Sequence, residues 1–266
     1  MSDYHLRFGG ISRLYGKSSA EIINNAHFCV IGIGGVGSWV AEALARTGVG
    51  RITLIDLDDI CTTNINRQIH ALTTTVGESK VDVMAERVKQ INPECQVHCI
   101  EDFVTLDNLH DTLSQGYDYV IDAIDSVKIK TAIINYCKRN KLPIITIGGA
   151  GGQTDPSQIQ ITDLSQTYQD PLLSKVRNQL RRDHNFSRAD ASKQRQRKFG
   201  IDAVFSTEQL MYPDADGEVC YAKQSQDGAM RLDCSGGFGA ATHVTASFAF
   251  FAVGKAINKL LKKKAK

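Results

Sequence analysis

The chain has 266 residues, 42% of them apolar and 23% charged, the composition of a folded soluble chain and not of a disordered one. With 31 Lys and Arg against 29 Asp and Glu the net charge is only +2, so any contact with nucleic acid must come from a local patch. No 18-residue run is free of polar interruption as a spanning helix requires, and the polar start 1–10 lacks the apolar core of a secretory signal, so a cytoplasmic chain without integral membrane insertion is expected.

The first half alternates strand-like and helix-like stretches. Residues 1–26 are read as an N-terminal helical segment. Strands are expected at 27–33 (HFCVIGI), 51–56 (RITLID), 96–100, 117–124 (YDYVIDAI) and 142–147 (LPIITI). Helices are expected at 38–46, 80–91, 106–113 and 130–138. The second of these places Val81, Met84, Val88 and Ile91 on one face. Repeated strand–helix–strand order predicts an α/β fold, a Rossmann-like doubly wound and mainly parallel sheet with helices on both faces.

After 148–152 (GGAGG), read as a hinge, the pattern loosens. Residues 158–161 read as a strand edge and 201–205 as a further strand. Between them, 175–198 holds nine Lys or Arg against Asp183 and Asp190, a local balance of +7. Arg181, Arg182, Arg195 and Arg197 in this basic insertion, about 170–200, are the candidate nucleic-acid contacts; a solvated helix face is the alternative. Residues 236–261 are small and apolar, read as a buried core or dimer helix that ends in the basic tail 259–266. That tail suits RNA or a peripheral contact with an anionic membrane, and the sequence does not choose. Residues 27–266 are read as one domain.

Seven cysteines, none spaced C-x-x-C, argue against zinc and against a disulfide framework, and most are expected to be small core residues. Cys234 is held apart, because a loop before a helix would lower its pKa and make it a candidate thiol.

The strongest local signal is Gly32-Ile33-Gly34-Gly35-Val36-Gly37-Ser38, between a strand and a helix. Glycines there admit a tight turn, and the helix N-terminus favours a phosphate. Asp56, at the end of the next strand, suits ribose hydroxyls. To this point NAD and ATP fit equally. Downstream lie Asp58, Asn64, Arg67, Gln68, Lys80, Asp125 and Ser126. Hydride transfer has no need of an Arg and a Lys beside the phosphates, whereas nucleotidyl transfer does. Arg67 offers a rigid donor fork, Lys80 a mobile point charge, and Asp125 a ligand for Mg²⁺.

GIGGVGSW, LIDLD, NINRQ, the position of Lys80 and DAIDS, in that order, resemble the ubiquitin-activating-enzyme superfamily of ATP-dependent adenylating proteins, strongly over about 10–160. The resemblance implies that 27–266 binds ATP with Mg²⁺ and adenylates a carboxylate. It implies that Asp56 binds ribose, that Asn64, Arg67 and Lys80 contact the triphosphate, and that Asp125 serves the metal. It also implies a homodimer in which an N-terminal arginine, Arg7 or Arg13, reaches the partner's ATP. The paired C-x-x-C zinc motifs of well-known bacterial members are missing. The zinc-less pattern, the basic insertion and LDCSGGFGAAT are similar to a branch that dehydrates N6-threonylcarbamoyladenosine beside the tRNA anticodon. There an acyl-adenylate forms, and an internal nitrogen or oxygen closes a ring and releases AMP, so Arg67, Lys80 and Asp125 would act while no enzyme nucleophile is needed. The rivals are adenylation of a small ubiquitin-like or sulfur-carrier protein, an NAD-dependent oxidoreductase, and an ATP-binding scaffold serving a sulfur-relay acceptor protein.

Overall fold

Short β-branched runs that end in glycine or aspartate form the strands of one seven-stranded sheet. The computed structural model describes residues 3–188, 197–214, 216–221 and 238–264. Two helices come first, α1 (Asp3–Tyr15) and α2 (Lys17–Asn25). Then follow β1 (His27–Ile31), α3 (Gly37–Arg46), β2 (Arg51–Ile55), α4 (Lys80–Ile91), β3 (Gln96–Ile100), α5 (Leu109–Leu113), β4 (Tyr119–Asp122), α6 (Val127–Arg139) and β5 (Ile144–Ile147). The second half supplies β6 (Ile159–Asp163), α7 (Pro171–Asp183), β7 (Asp202–Ser206), a small hairpin of β8 (Tyr212–Pro213) and β9 (Val219–Cys220), and α8 (Thr242–Lys264).

The strand order is β3-β2-β1-β4-β5-β7-β6, all parallel except β6, which runs antiparallel to β7 at the edge. This is the expected doubly wound fold. Strand alternation divides the core into two layers. Phe28 and Val30 face α2, α3, α4 and α8; Cys29 and Ile31 face α5, α6 and α7. Val81, Met84 and Val88 of α4 are buried as their spacing predicts.

Three elements differ from expectation. The helix expected at 106–113 begins only at Leu109, because Asn108 and Thr105 exchange side chain–backbone bonds and hold the preceding residues in a turn. Helix α6 starts at Val127, three residues early, after Ser126. The basic stretch contains a helix, α7, as its helix-face alternative allowed but without bounds given in advance, with Asp170 as N-cap accepting from the Leu173 amide and Pro171 in the first turn. By length and composition α8 alone among the described helices is able to cross a membrane, but its Val244, Phe248, Ala252 and Ile257 are buried against the sheet.

Candidate active site

The chain leaves β1 to build β2 and β3 on one side, then returns to build β4 on the other. A crevice therefore opens beyond the carboxyl ends of β1 and β4, where doubly wound sheets place ligands. A cavity of about 730 Å³ occupies this position, within the range of a cofactor-sized site. Gly32, Gly34 and Gly35 of the glycine turn line it, with Asp56, Asp58, Asn64, Arg67, Gln68, Lys80 and Asp125. Ten of the residues singled out from sequence thus converge from three connections, β1–α3, β2–α4 and β4–α6.

Gly37 and Ser126 do not line the cavity. A methyl group on Gly37 would overlap the carbonyl oxygen of Gly32, so only glycine lets α3 start this close to β1. Gly35 is less constrained: a Cβ there would sit 3.2 Å from Cγ of Arg67, so the arginine side chain lying across the turn would have to give by a few tenths of an ångström. Asp125 is exposed, and it does not cap α6; that position belongs to Ser126, which makes no side-chain capping bond.

The carboxylate of Asp56 accepts from the Ile33 amide (2.6 Å) and the Asp58 amide (3.0 Å), which binds the glycine turn to the end of β2. Lys80 is the first residue of α4 and is buried. Its Nζ lies 2.7 Å from Asp58 Oδ2 and 3.9 Å from Asp56 Oδ1. Arg67 is also buried; its Nη1 donates to the Thr63 carbonyl (2.6 Å) and to Asn66 Oδ1 (2.9 Å). The Asn64 side chain accepts from the Cys61 amide and so braces the 3₁₀ turn Thr62–Asn64, and the Arg67 amide in turn donates to the Asn64 carbonyl. Gln68 is buried with its Oε1 unpartnered among the described residues.

Beneath this wall sits a buried pair that the sequence reading missed. Lys130 Nζ is 3.0 Å from Asp122 Oδ1 and also donates to the carbonyl of Ile124 (2.8 Å), while Thr146 Oγ1 donates to the other Asp122 oxygen. The pair fixes the bend from β4 into the segment bearing Asp125. His70, just past Arg67, is buried with neither ring nitrogen partnered among the described residues; burial, then the charges of Lys80 and Arg87, lower its pKa to about 4.

The far side of the cavity was also not foreseen. Gly148, Gly149 and Gly151, read as a hinge, form part of its wall with Asp170, Leu172, Leu210, Phe238 and Thr245. Asp170 Oδ2 accepts from the Gly149 amide (2.9 Å), and burial raises its pKa against the pull of the Leu173 and Gly149 amides and of Lys130. The Asp170-Pro171 pair was a readable helix-start signal; the other residues carry no local signature. Cys61 lines the cavity as well.

The remaining candidates lie elsewhere. Arg7 and Arg13 are exposed on α1. Arg181 is held over the Phe199 ring (5.4 Å) and donates to the Ser187 carbonyl; Arg182 pairs with Asp183; Arg197 is exposed. Arg195 and Cys234 lie outside the described residues. Of the six described cysteines Cys29, Cys95 and Cys137 are buried, and burial pushes the Cys29 and Cys95 thiols up to about 12; Cys61 and Cys99 are exposed and Cys220 is half-buried, so the expectation of core thiols holds for half of them.

The ThiF family model matches residues 10–266. The chain is 58% identical over 260 residues to the tRNA threonylcarbamoyladenosine dehydratase of Escherichia coli, covering 98% of this chain and 95% of that one. Two crystal structures of the E. coli tRNA N6-threonylcarbamoyladenosine dehydratase, TcdA, also resemble it. The complex with ATP has a TM-score of 0.86 at 53% identity, covering 99% of this chain and 98% of that one. The complex with AMP has a TM-score of 0.85 at 53% identity, with the same coverage.

Proposed function

The chain belongs to the ThiF family, and from that membership we propose that it is a cytoplasmic enzyme that uses ATP to dehydrate N6-threonylcarbamoyladenosine beside a tRNA anticodon, giving the cyclic form through an acyl-adenylate. The observation that carries this reading is the likeness of nearly the whole chain to a tRNA threonylcarbamoyladenosine dehydratase.

The pocket's chemistry supports it. Asp56 stands at the end of β2 to accept from ribose hydroxyls, and the glycine turn with Arg67 and Lys80 receives the phosphates. A threonyl carboxylate oxygen attacks the α-phosphorus, and the bond from that phosphorus to pyrophosphate breaks. Arg67 and Lys80 stabilise the charge that builds on the phosphates. A nitrogen or oxygen of the same substrate then attacks the acyl carbon, loses its proton and expels AMP; the oxygen of the water lost overall leaves in AMP. Both reacting groups belong to one bound molecule, so proximity replaces an enzyme nucleophile.

The residues present fit Mg²⁺. Five aspartates line the cavity (56, 58, 59, 125 and 170) against two cations, Arg67 and Lys80, so a triphosphate there needs a further positive charge. No group of three or more His, Cys, Asp or Glu that would cage a metal occurs among the described residues. One carboxylate plus phosphate oxygens is the usual way Mg²⁺ is held. Asp125 would hold it, and when bound it would supply neutralisation of phosphate charge. In the homodimer we propose, Arg13 adds its charge to the partner's ATP. The basic insertion, with Arg182 and Arg197, receives the tRNA backbone.

The test is incubation with ATP, Mg²⁺ and tRNA bearing the modified adenosine, followed by nucleoside mass analysis. The expected result is loss of one water from that nucleoside, with AMP and pyrophosphate formed in equal amounts. An unchanged nucleoside, with pyrophosphate exchange that depends on a small carrier protein, would overturn the reading.

A further inference from the structure

Residues 238–240 run between the two halves of the pocket. On one side the Gly239 carbonyl accepts from the Gly152 amide (2.8 Å), and the Phe238 ring stands 5.1 Å from that of Tyr212. On the other side the Ala240 carbonyl accepts from Asn66 Nδ2 (2.8 Å), and Thr242 Oγ1 donates to the Asn66 carbonyl (2.5 Å). Both Phe238 and Ala240 line the cavity.

Asn66 is exposed, yet both ends of its amide are engaged. Oδ1 accepts from Arg67 Nη1, and Nδ2 donates to Ala240. A guanidinium only donates and a carbonyl only accepts, so the amide has one workable orientation. We infer that Asn66 is a positioning residue that couples Arg67 to the seating of 238–240, so that the arginine is set for phosphate transfer only when this strap is in place. The inference rests on the adenylating function proposed above and adds to it a link between the acceptor side of the pocket and the phosphate side. A substrate pressing on Phe238 and Ala240 is felt at Arg67 through one side chain. Arg67 keeps its bond to Thr63 when Asn66 is lost, so the coupling acts on the arginine's setting and not on its presence.

The protein carries its own reporter. Trp39 is the single tryptophan, and its Nε1 donates to the Arg67 carbonyl (3.0 Å). The test compares Asn66→Ala, Thr242→Val and the double variant. Each is checked by thermal melting, then measured for product formation with tRNA and for the Trp39 fluorescence response to ATP with Mg²⁺. Asn66→Ala is expected to lower kcat about tenfold and Thr242→Val about threefold, with KM for ATP within about threefold, the scale of one lost hydrogen bond in each case. Both are expected to halve the Trp39 response at saturating ATP. Because the two act on one link, the double variant should fall about tenfold and not about thirtyfold. Additive losses, or a rise in KM with kcat and fluorescence intact, would overturn the coupling. Absence of product in the wild type would sink the functional reading instead, and the fluorescence arm would still decide the coupling.

Discussion

Replacing Lys130 with methionine probes the floor of the pocket. Methionine keeps an unbranched side chain and deletes the charge. Both members of the Lys130–Asp122 pair have fully buried side chains, and Nζ also donates to the Ile124 carbonyl. The variant therefore strands a carboxylate in the interior, which costs about 3–5 kcal/mol where one partner of a buried pair is removed. Asp122 keeps its bonds from Thr146 Oγ1 and the Ile124 amide, which places the loss near ~3 kcal/mol, or about 6–12 °C in Tm for a chain of this size. Lys130→Met with Asp122→Asn removes both charges and should recover most of it, to within about 1 kcal/mol of wild type. Urea unfolding of the wild type, both single variants and the double variant gives the cycle. A single-variant loss under about 1 kcal/mol, or a cycle without coupling, would refute the reasoning.

Lys80→Met and Arg67→Ala should each lower kcat/KM by about 100-fold or more in the nucleoside assay, the usual scale for removing a charge-stabilising donor; a loss under tenfold in both would count against their assigned roles. His27 and His70 both have pKa values lowered to about 4, by burial first and then by Arg51 for His27 and Lys80 for His70. Neutral when folded and titrating near 6.5 when unfolded, they add stability that is complete above about pH 6.5 and is lost as pH falls toward 4, by up to about 1.4 kcal/mol per pH unit each. His70→Leu should flatten urea midpoints between about pH 6 and 4 by one such slope, and an unchanged slope would show that His70 is not buried neutral. Charge reversal at Arg182 and Arg197 should weaken tRNA binding and reduce its salt slope by about 0.7–0.9 per lost phosphate contact, with ATP affinity intact; equal tRNA affinity for the variant would remove the insertion from the interface.

The wall of the cavity proposed above to receive the phosphates was legible because it is local. A glycine turn between strand and helix, an acid at the next strand end, and Arg67 and Lys80 at fixed offsets each declare a chemistry within a short window, and the cavity gathers them. Strand alternation and the spacing of Val81, Met84 and Val88 announced the two core layers in the same way. The acceptor side was not legible. Gly148, Asp170, Leu210 and Phe238 meet only because β7 inserts between β5 and β6 and α8 returns across the sheet, and no window contains that information. Lys130 escaped for a different reason. A lysine taken singly reads as solvated, and only the packing of α6 shows that it points inward at Asp122. The run of charge around α7 hid a readable start signal at Asp170-Pro171.

The chain on either side of 189–196 is clasped together part-way through the basic segment. Phe186 and Phe199 meet ring to ring at 5.0 Å, Ser187 Oγ donates to the Arg197 carbonyl, and Asp163 accepts from the amides of Phe199 and Gly200. With both sides fastened and Asp163 tying the return to the sheet edge, a change of sequence or length at 189–196 leaves the register of β6 and β7 unaltered. The fold thus offers a position at which local charge can be changed independently of the cavity, since none of the lining residues falls between 173 and 209.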